Sequence, residues 1–535
     1  MQKYNKYLTV IAFLILAMNV GWMLWYAFIG YQAFFHSDSS AKVLLAAEIY
    51  TTGDFFPNEW NYVNGDIFIV FGHLFIIPII GILKGGFLSH AVSSAALGIL
   101  TLLGVYLVAR LIALPRSHSF AITSAIAAGI SGFVAENLYG QGSYGAIFCI
   151  SLYLIYFYLK SKTYSSAFNF HVIAFLVLLF LVVWSNPLRS LISYVLPVLG
   201  ALTLCNDFKN QKIYYIKNIF LILAATAIGL IAHKYTLSSI HNTAGVSSAL
   251  WLAPENMLKY FLLTWKGIFS ILGGLPPENS PVTSLAGGVY ACRLITCLLM
   301  LWLIPLQLKR ILSGPATNIK FIGYFTVMAL GLTFFIMTFT TVPDMNDPVQ
   351  SSRYLVPPII LAMILCFSYI SRKSPKSSIV VIACIASYVI VAPIVYVYSD
   401  NSSRPYLNNK QARDSRYELI EFLKVNKLHY GYGGYWNSGV VSVLSDEEVR
   451  VRQITLDRGM PKPSAYLSSN SWYKPGYWTG ETFLLLTYDE SKLIDWKALA
   501  DVNIIPSKIL DFQGMKIFVF DKNLADIIPG WSSTL

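Results

Sequence analysis

The sequence predicts a polytopic α-helical membrane protein of about eleven transmembrane helices plus outer juxtamembrane helices, carrying a small C-terminal α/β domain on the extracytoplasmic side. Three observations predict it. Of 535 residues, 56% are apolar and only 12% charged, and up to Tyr398 the apolar residues gather into runs near the roughly 20 residues a bilayer core requires. From Asp400 onward charges are frequent and no run is long enough to span. The basic residues before that point sit in alternate loops, the pattern that orients helices in a membrane. The chain therefore divides into a membrane domain, residues 1–398, and a soluble domain, residues 399–535.

The first run, 8–30, follows Lys3 and Lys6. It exceeds a signal-peptide core and lacks a clear small-residue cleavage site, so it is expected to be a retained helix. Further spans are expected at 89–109, 119–135, 142–159, 170–184, 190–205, 214–233, 288–308, 319–341, 354–371 and 378–398. With a cytoplasmic N-terminus, each inner loop is basic: Arg110 and Arg116; Lys160 and Lys162; Lys209, Lys212 and Lys217; Lys309, Arg310 and Lys320; Arg372, Lys373 and Lys376. Two apolar stretches remain, 67–83 and 257–272. Either one crossing alone would invert every later basic loop, so both are expected to lie on the outer surface or to dip in and return. The expected location is a bacterial inner membrane, with the C-terminal domain in the periplasm.

The net charge of +12 does not point to nucleic acid, because residues 399–535 carry sixteen basic and sixteen acidic side chains. The excess belongs to the short loops. All six cysteines fall in or beside apolar runs without metal-type spacing and read as packing residues.

Eleven acids precede residue 399, and ten are expected in outer loops or at outer helix ends: Asp38, Glu48, Asp54, Glu59, Asp66, Glu136, Glu255, Glu278, Asp344 and Asp347; Asp207 alone is cytoplasmic. Acids at mid-span would have suggested ion coupling. Their outer placement puts any chemistry at the outer face. Asp38 follows the first helix exit and precedes an amphipathic helix, Ala41 to Thr51. A carboxylate beside apolar surface suits general-base work, since partial desolvation favours proton uptake; Asp38 or Ser39 can equally cap the following helix.

The order of Asp38, that helix and the segment TTGDFFP (51–57) resembles the first outer loop, here about 31–88, of the GT-C membrane glycosyltransferases. The branch it most resembles holds the lipid A aminoarabinose transferases and protein O-mannosyltransferases. The resemblance implies that Asp38 is the catalytic base and that the run 67–83 is a juxtamembrane helix. Two departures stand out. Many relatives carry two adjacent acids where this chain has Asp38-Ser39, and some carry a phosphate-binding Lys-Pro near the position of Asp66 and Ile67, where this chain has no lysine.

In QSSRYLVPP (350–358) an outer loop enters a helix, and the resemblance places Arg353 and Tyr354 near a lipid phosphate. The physics suits Arg353, since a guanidinium can pair bidentately with a departing phosphate; boundary arginines also snorkel to head groups. Arg189, in SNPLRS, and Lys42 are further candidates for the same task. Glu136, in AENLYGQGSYG, is a candidate for assisting Asp38 or binding acceptor. Asp54, Asp66 and Asp347 complete the acidic candidates, and Asp344 and Asp347 lie close enough in sequence to pair with Arg353. His73 reads as a packing residue.

The C-terminal domain begins with a helical stretch, SRYELIEFLKVNKL, and continues with β-rich runs such as VRVRQITL, TFLLLTYD and MKIFVFDK. YGYGGYW and SWYKPGYW place aromatics beside glycines, suited to sugar stacking or to a small core. The expected function is transfer of a sugar, hexosyl or pentosyl, from a polyprenyl-phosphate carrier to a cell-envelope acceptor such as O-antigen or another lipid-linked glycan, with inversion. The alternatives are an O-antigen polymerase or ligase, and a lipid-glycan transporter or flippase. The sequence requires no cofactor and leaves the need for a divalent metal undecided.

Overall fold

The computed structural model describes residues 2–112, 114–162, 169–205, 212–243, 250–276, 281–315, 317–344, 347, 349–373, 375–398 and 409–531. Asp207, Lys209, Glu278 and the boundary segment 399–408 lie outside the described residues, as do the side chains of Arg372, Lys373 and Lys376.

Among the described residues, eight helices are long and apolar enough to cross a membrane, from Lys6–Ala33 to Gln350–Ser368. Two shorter apolar helices, Phe170–Ser185 and Ile382–Val397, accompany them. The remaining expected span, 119–135, is not one straight helix. It is a pair, Arg116–Ala127 and Gly132–Gly140, bent by 93°. Gly129 and Ile130 take positive φ values of 81° and 57° at the corner, and a Cβ on Gly129 would stand 2.9 Å from the Tyr396 ring. Backbone freed at such a bend must find partners inside a membrane protein. Arg293 donates to the Ile130 carbonyl, and Ser131 Oγ both accepts from Val134 N and donates to the Ile271 carbonyl. The run contains no proline, which is why hydropathy alone reads it as a single span.

The stretches 67–83 and 257–272 are not among the helices both long and apolar enough to cross a membrane. The first is broken into two single turns, His73–Ile76 and Ile80–Leu83. Its start is stitched to the end of the Phe170–Ser185 helix, Ile67 N donating to the Ser185 carbonyl (3.0 Å) and Ile69 N to Ser185 Oγ (3.1 Å). His73 is buried between Phe55 and Phe71, and burial pushes its imidazole down to about 3, so it stays neutral. The second is the amphipathic helix Pro254–Ile271, whose Gly267 lies flush against Ser352.

Basic loop residues meet at one end of the helical unit. Asn318 donates to the Leu111 carbonyl, and Lys162 sits over the rings of Tyr158 and Phe321. The opposite end carries the Ser37–Thr52 helix of the first loop, the short parallel pair β1 (Asn61–Val63) and β2 (His241–Thr243), and the sheet domain. That domain is a six-stranded mixed sheet in the order β5-β4-β3-β6-β8-β7, with β3 at Tyr430–Gly434, β4 at Arg450–Asp457, β5 at Met460–Pro463, β6 at Thr482–Thr487, β7 at Lys508–Phe512 and β8 at Met515–Phe520. Strands β4 and β6 both run parallel to β3, and the helix Tyr435–Leu444 connects β3 to β4.

Two clamps fix the sheet domain to the first loop. The helix Tyr435–Leu444 packs on Ser37–Thr52 so closely that a Cβ on Gly439 would overlap Ser40 Oγ. The strap 464–470 is bound along 59–63: Asn61 N donates to the Ser468 carbonyl (2.7 Å), Leu467 N to the Asn61 carbonyl (3.0 Å) and Asn470 N to the Glu59 carbonyl (2.7 Å).

Candidate active site

The first-loop helix begins two residues earlier than a capping role for Asp38 requires. Its first residue is Ser37, and its N-cap is His36, without a side-chain cap bond. Asp38 stands inside the first turn and points its carboxylate elsewhere. Asp38, Ala41, Lys42 and Leu45 follow the three- and four-residue spacing of one helix face, and all four line a polar chamber of about 160 Å³.

The carboxylate has three polar neighbours. Tyr435 OH donates to Oδ1 at 2.6 Å, Gln141 Nε2 to Oδ2 at 3.4 Å, and Arg353 Nη1 stands 3.9 Å from Oδ2. Arg353 lies over the Tyr144 ring, 5.7 Å from its centre, and its buried Nε has no hydrogen-bond partner among the described residues. Lys42 is buried and donates to the Gln141 carbonyl at 2.8 Å. Burial pulls its ammonium down from the usual lysine range to about 7. Across the chamber, Arg189 Nη1 donates to Asp66 Oδ2 at 2.5 Å.

The bend at 128–131 serves this geometry. It turns the chain so that the π-helical turn Glu136–Gly140 and then Gln141 run beneath Asp38. Glu136 is buried, with Oε1 3.8 Å from His36 Nε2, behind Asp38 rather than in the chamber wall. Asp54 lies exposed just past the far end of the first-loop helix, about 24 Å along the axis from Asp38 at 1.5 Å per residue. Asp347 is also outside the chamber, where its Oδ1 accepts from Gln350 N at the start of the turn that carries Arg353. Asp38, not Asp347, faces the guanidinium.

A second cavity of about 280 Å³ adjoins the chamber. Asn64, Tyr144, Ile147, Arg189 and Tyr354 line both. Beyond them the second cavity runs between the segment Pro187–Leu204 and the helix Asn318–Phe339, past apolar residues such as Ile192, Phe325 and Ile336. A charged room thus opens directly into an apolar groove among membrane-length helices, with Arg189 and Tyr354 at the threshold. Among the described residues no three His, Cys, Asp or Glu side chains converge as metal ligands, and the two chamber acids each face an arginine.

Sequence reasoning placed Asp38, Lys42, Asp66, Arg189, Arg353 and Tyr354 as candidates, and the structure lines one chamber with all six. It did not single out Gln141, Tyr144, Tyr435 or Tyr466. Gln141 and Tyr144 lie in the quoted AENLYGQGSYG segment, but nothing local marks them. Tyr435 belongs to the aromatic–glycine cluster of the sheet domain, where only its fold position distinguishes it from Tyr430 and Tyr432, which are buried in the sheet core.

No family model and no curated protein matches the chain. Solved structures do. ArnT from Cupriavidus metallidurans bound to undecaprenyl phosphate aligns with a TM-score of 0.54 at 11% identity, covering 94% of this chain and 97% of that one. Its apo form aligns with a TM-score of 0.54 at 10% identity, covering 90% and 93%. The Archaeoglobus fulgidus oligosaccharyltransferase, tethered to an acceptor peptide, aligns with a TM-score of 0.40 at 12% identity, covering 84% and 63%. The chain has a GT-C-like fold, and its apolar helices make it a multi-pass membrane protein.

Proposed function

We propose that this protein is an inverting glycosyltransferase that moves a sugar from a polyprenyl-phosphate carrier to a cell-envelope acceptor, an O-antigen or other lipid-linked glycan, at the outer face of the inner membrane. The observation that carries the reading is the continuity of the polar chamber with the apolar groove. A donor with a long isoprenoid tail, a phosphate and a sugar has the same polarity sequence as the two cavities. ArnT, whose fold the chain shares, has been crystallised with undecaprenyl phosphate, which supports the same donor class here.

In this mechanism the tail lies in the groove and the phosphate sits at the threshold between Arg189, Tyr354 and Arg353. Asp38 takes the proton from an acceptor hydroxyl, whose oxygen attacks the anomeric carbon. The bond from that carbon to the phosphate oxygen breaks, and its electron pair leaves with the lipid phosphate. Arg353, with a buried Nε still available as a donor, stabilises the charge that develops there. Lys42 adds a third cation when protonated. Glu136, 3.8 Å from His36 Nε2, backs the start of the first-loop helix behind Asp38. The basic loops gathered at the end remote from the chamber support a cytoplasmic position for that end and a periplasmic one for the site.

The test incubates reconstituted protein with undecaprenyl-phosphate-linked glucose, galactose, mannose and aminoarabinose in the presence of envelope lipopolysaccharide, following donor loss by mass spectrometry. Turnover that disappears in Asp38→Asn is expected. Equal turnover in that variant would remove Asp38 as base, and tight binding of a diphosphate-linked glycan without use of any monophosphate donor would favour a polymerase or ligase.

A further inference from the structure

We infer that Tyr435 is a positioning residue of the transfer reaction: delivered by the C-terminal domain, its hydroxyl aims the Asp38 carboxylate and keeps it ready to accept a proton. The inference rests on the reading of Asp38 as base, and it makes the outer sheet domain part of the catalytic centre rather than an appendage.

The contact is the shortest that the Asp38 carboxylate makes among its described partners, 2.6 Å against 3.4 Å to Gln141 and 3.9 Å to Arg353. It joins residues nearly four hundred positions apart, yet it is held on both sides. The Tyr435 carbonyl accepts from Ser37 Oγ at 2.5 Å, so backbone and hydroxyl grip consecutive residues of the first-loop helix. The ring is wedged edge-on between Trp436 and Tyr466, with centres 5.1 Å from each. Gly439, one turn on, lets the two helices touch. At Gly434, just before the tyrosine, Glu490 fills the space that a side chain would need. A side chain fixed this firmly cannot be an incidental visitor to the carboxylate.

Its chemistry matches the position. Burial and the negative charge of Asp38 push the Tyr435 phenol well above its ordinary value, so the hydroxyl remains a donor across the working pH range. A carboxylate offers about four lone-pair positions, so one bond to Oδ1 leaves room for the acceptor hydroxyl. The donated bond fixes the direction of the carboxylate, the role that a third group plays toward a general base in other enzymes. Tyr435 keeps its own proton throughout; only the acceptor proton moves to Asp38. Among the described residues the other charged or titratable groups around Asp38 are Arg353, Tyr466, Tyr144 and Tyr354 in the chamber wall, Lys42 on the same helix face, Arg189 and Asp66 across the chamber, and the His36–Glu136 pair behind.

The experiment compares full-length wild type, Tyr435→Phe and Asp38→Asn. Two readouts are taken: donor turnover with the carriers named above, and the rate at which dicyclohexylcarbodiimide labels Asp38 at one fixed pH, mapped by mass spectrometry. Carbodiimide attack on the carboxyl needs no substrate. In Tyr435→Phe the labelling rate is expected to rise several-fold, because a carboxylate released from its tyrosine donor can turn toward the reagent. kcat should fall about tenfold to a hundredfold, with an unchanged KM for donor. A labelling rate and a kcat equal to wild type would overturn the inference. Turnover surviving in Asp38→Asn would instead sink the base reading, and the labelling rate would still report on the contact. Should Tyr435→Phe not fold, Ser37→Ala releases the backbone tether and should raise the labelling rate by less; an unchanged rate there overturns the inference equally.

Discussion

Two carboxylate–arginine pairs face the same chamber, and they differ in the property that matters for chemistry. Asp66 and Arg189 are closed at 2.5 Å, with the aspartate side chain 7% exposed. Asp38 and Arg353 stand open at 3.9 Å, with side chains 25% and 31% exposed. Asp66 also accepts from Phe68 N, which ties it to the start of the broken stretch 67–83. The closed pair uses its contact to hold two segments together, and leaves Arg189 the rest of its donor fork. The open pair keeps capacity on both members, for a proton on one and an anion on the other.

Breaking each pair should separate the two roles. The largest effect is expected from Asp38→Asn, a loss of about a thousandfold in donor turnover with little change in melting temperature, since general-base removal costs that much; Asp66→Asn should keep turnover within about tenfold. Next comes Arg353→Lys, expected to lower kcat about a hundredfold because a point charge cannot reproduce a planar donor fork at a developing phosphate charge. Steady-state kinetics at saturating donor would read it.

A smaller effect in energy falls on the closed pair. Asp66→Asn leaves Arg189 without its counter-charge and should destabilise the fold by about 1–2 kcal/mol, discounted because the arginine is partly exposed. Thermal unfolding in detergent micelles would show it, and an unchanged melting curve would contradict the structural role. The smallest effect concerns Lys42. Its folded-state value near 7 lies below the free lysine value of 10.5. The ligand-free protein should therefore gain stability as pH rises from about 7 to about 10, a window in which the unfolded chain binds the extra proton. An anion in the chamber needs that proton back. Affinity for undecaprenyl phosphate should then weaken several-fold between pH 6.5 and about 8.5, and Lys42→Met should flatten the trend.

Much of the architecture was legible in the sequence. Continuous apolar runs mark spans, because the bilayer demands length and hydrophobicity over contiguous residues. The basic loops forbid a lone crossing at 67–83 or 257–272, and neither stretch forms a helix both long and apolar enough to cross. Asp38 and Arg353 stand out because each lies where an outer loop meets an apolar helix, in a segment that resembles the GT-C enzymes. Glu136 and Asp54 show the limit of that reasoning. Both satisfy the same sequence criterion, yet one is buried behind the site and the other lies far along a helix.

What the chain determined by itself was therefore local and periodic: where helices run, which loops are basic, and which face of the first-loop helix carries Asp38 and Lys42 together. Only the tertiary structure decided what meets that face. The 93° bend that brings in Gln141 depends on partners at Ile271 and Arg293. The pairing of Asp66 with Arg189 joins the first loop to a later helix end. Tyr435 reaches Asp38 only because a sheet domain folds and docks by its Gly439 face. Spans follow from transfer of contiguous surface into lipid, which the sequence lists in order; a chamber follows from packing between distant segments, and no local periodicity encodes that.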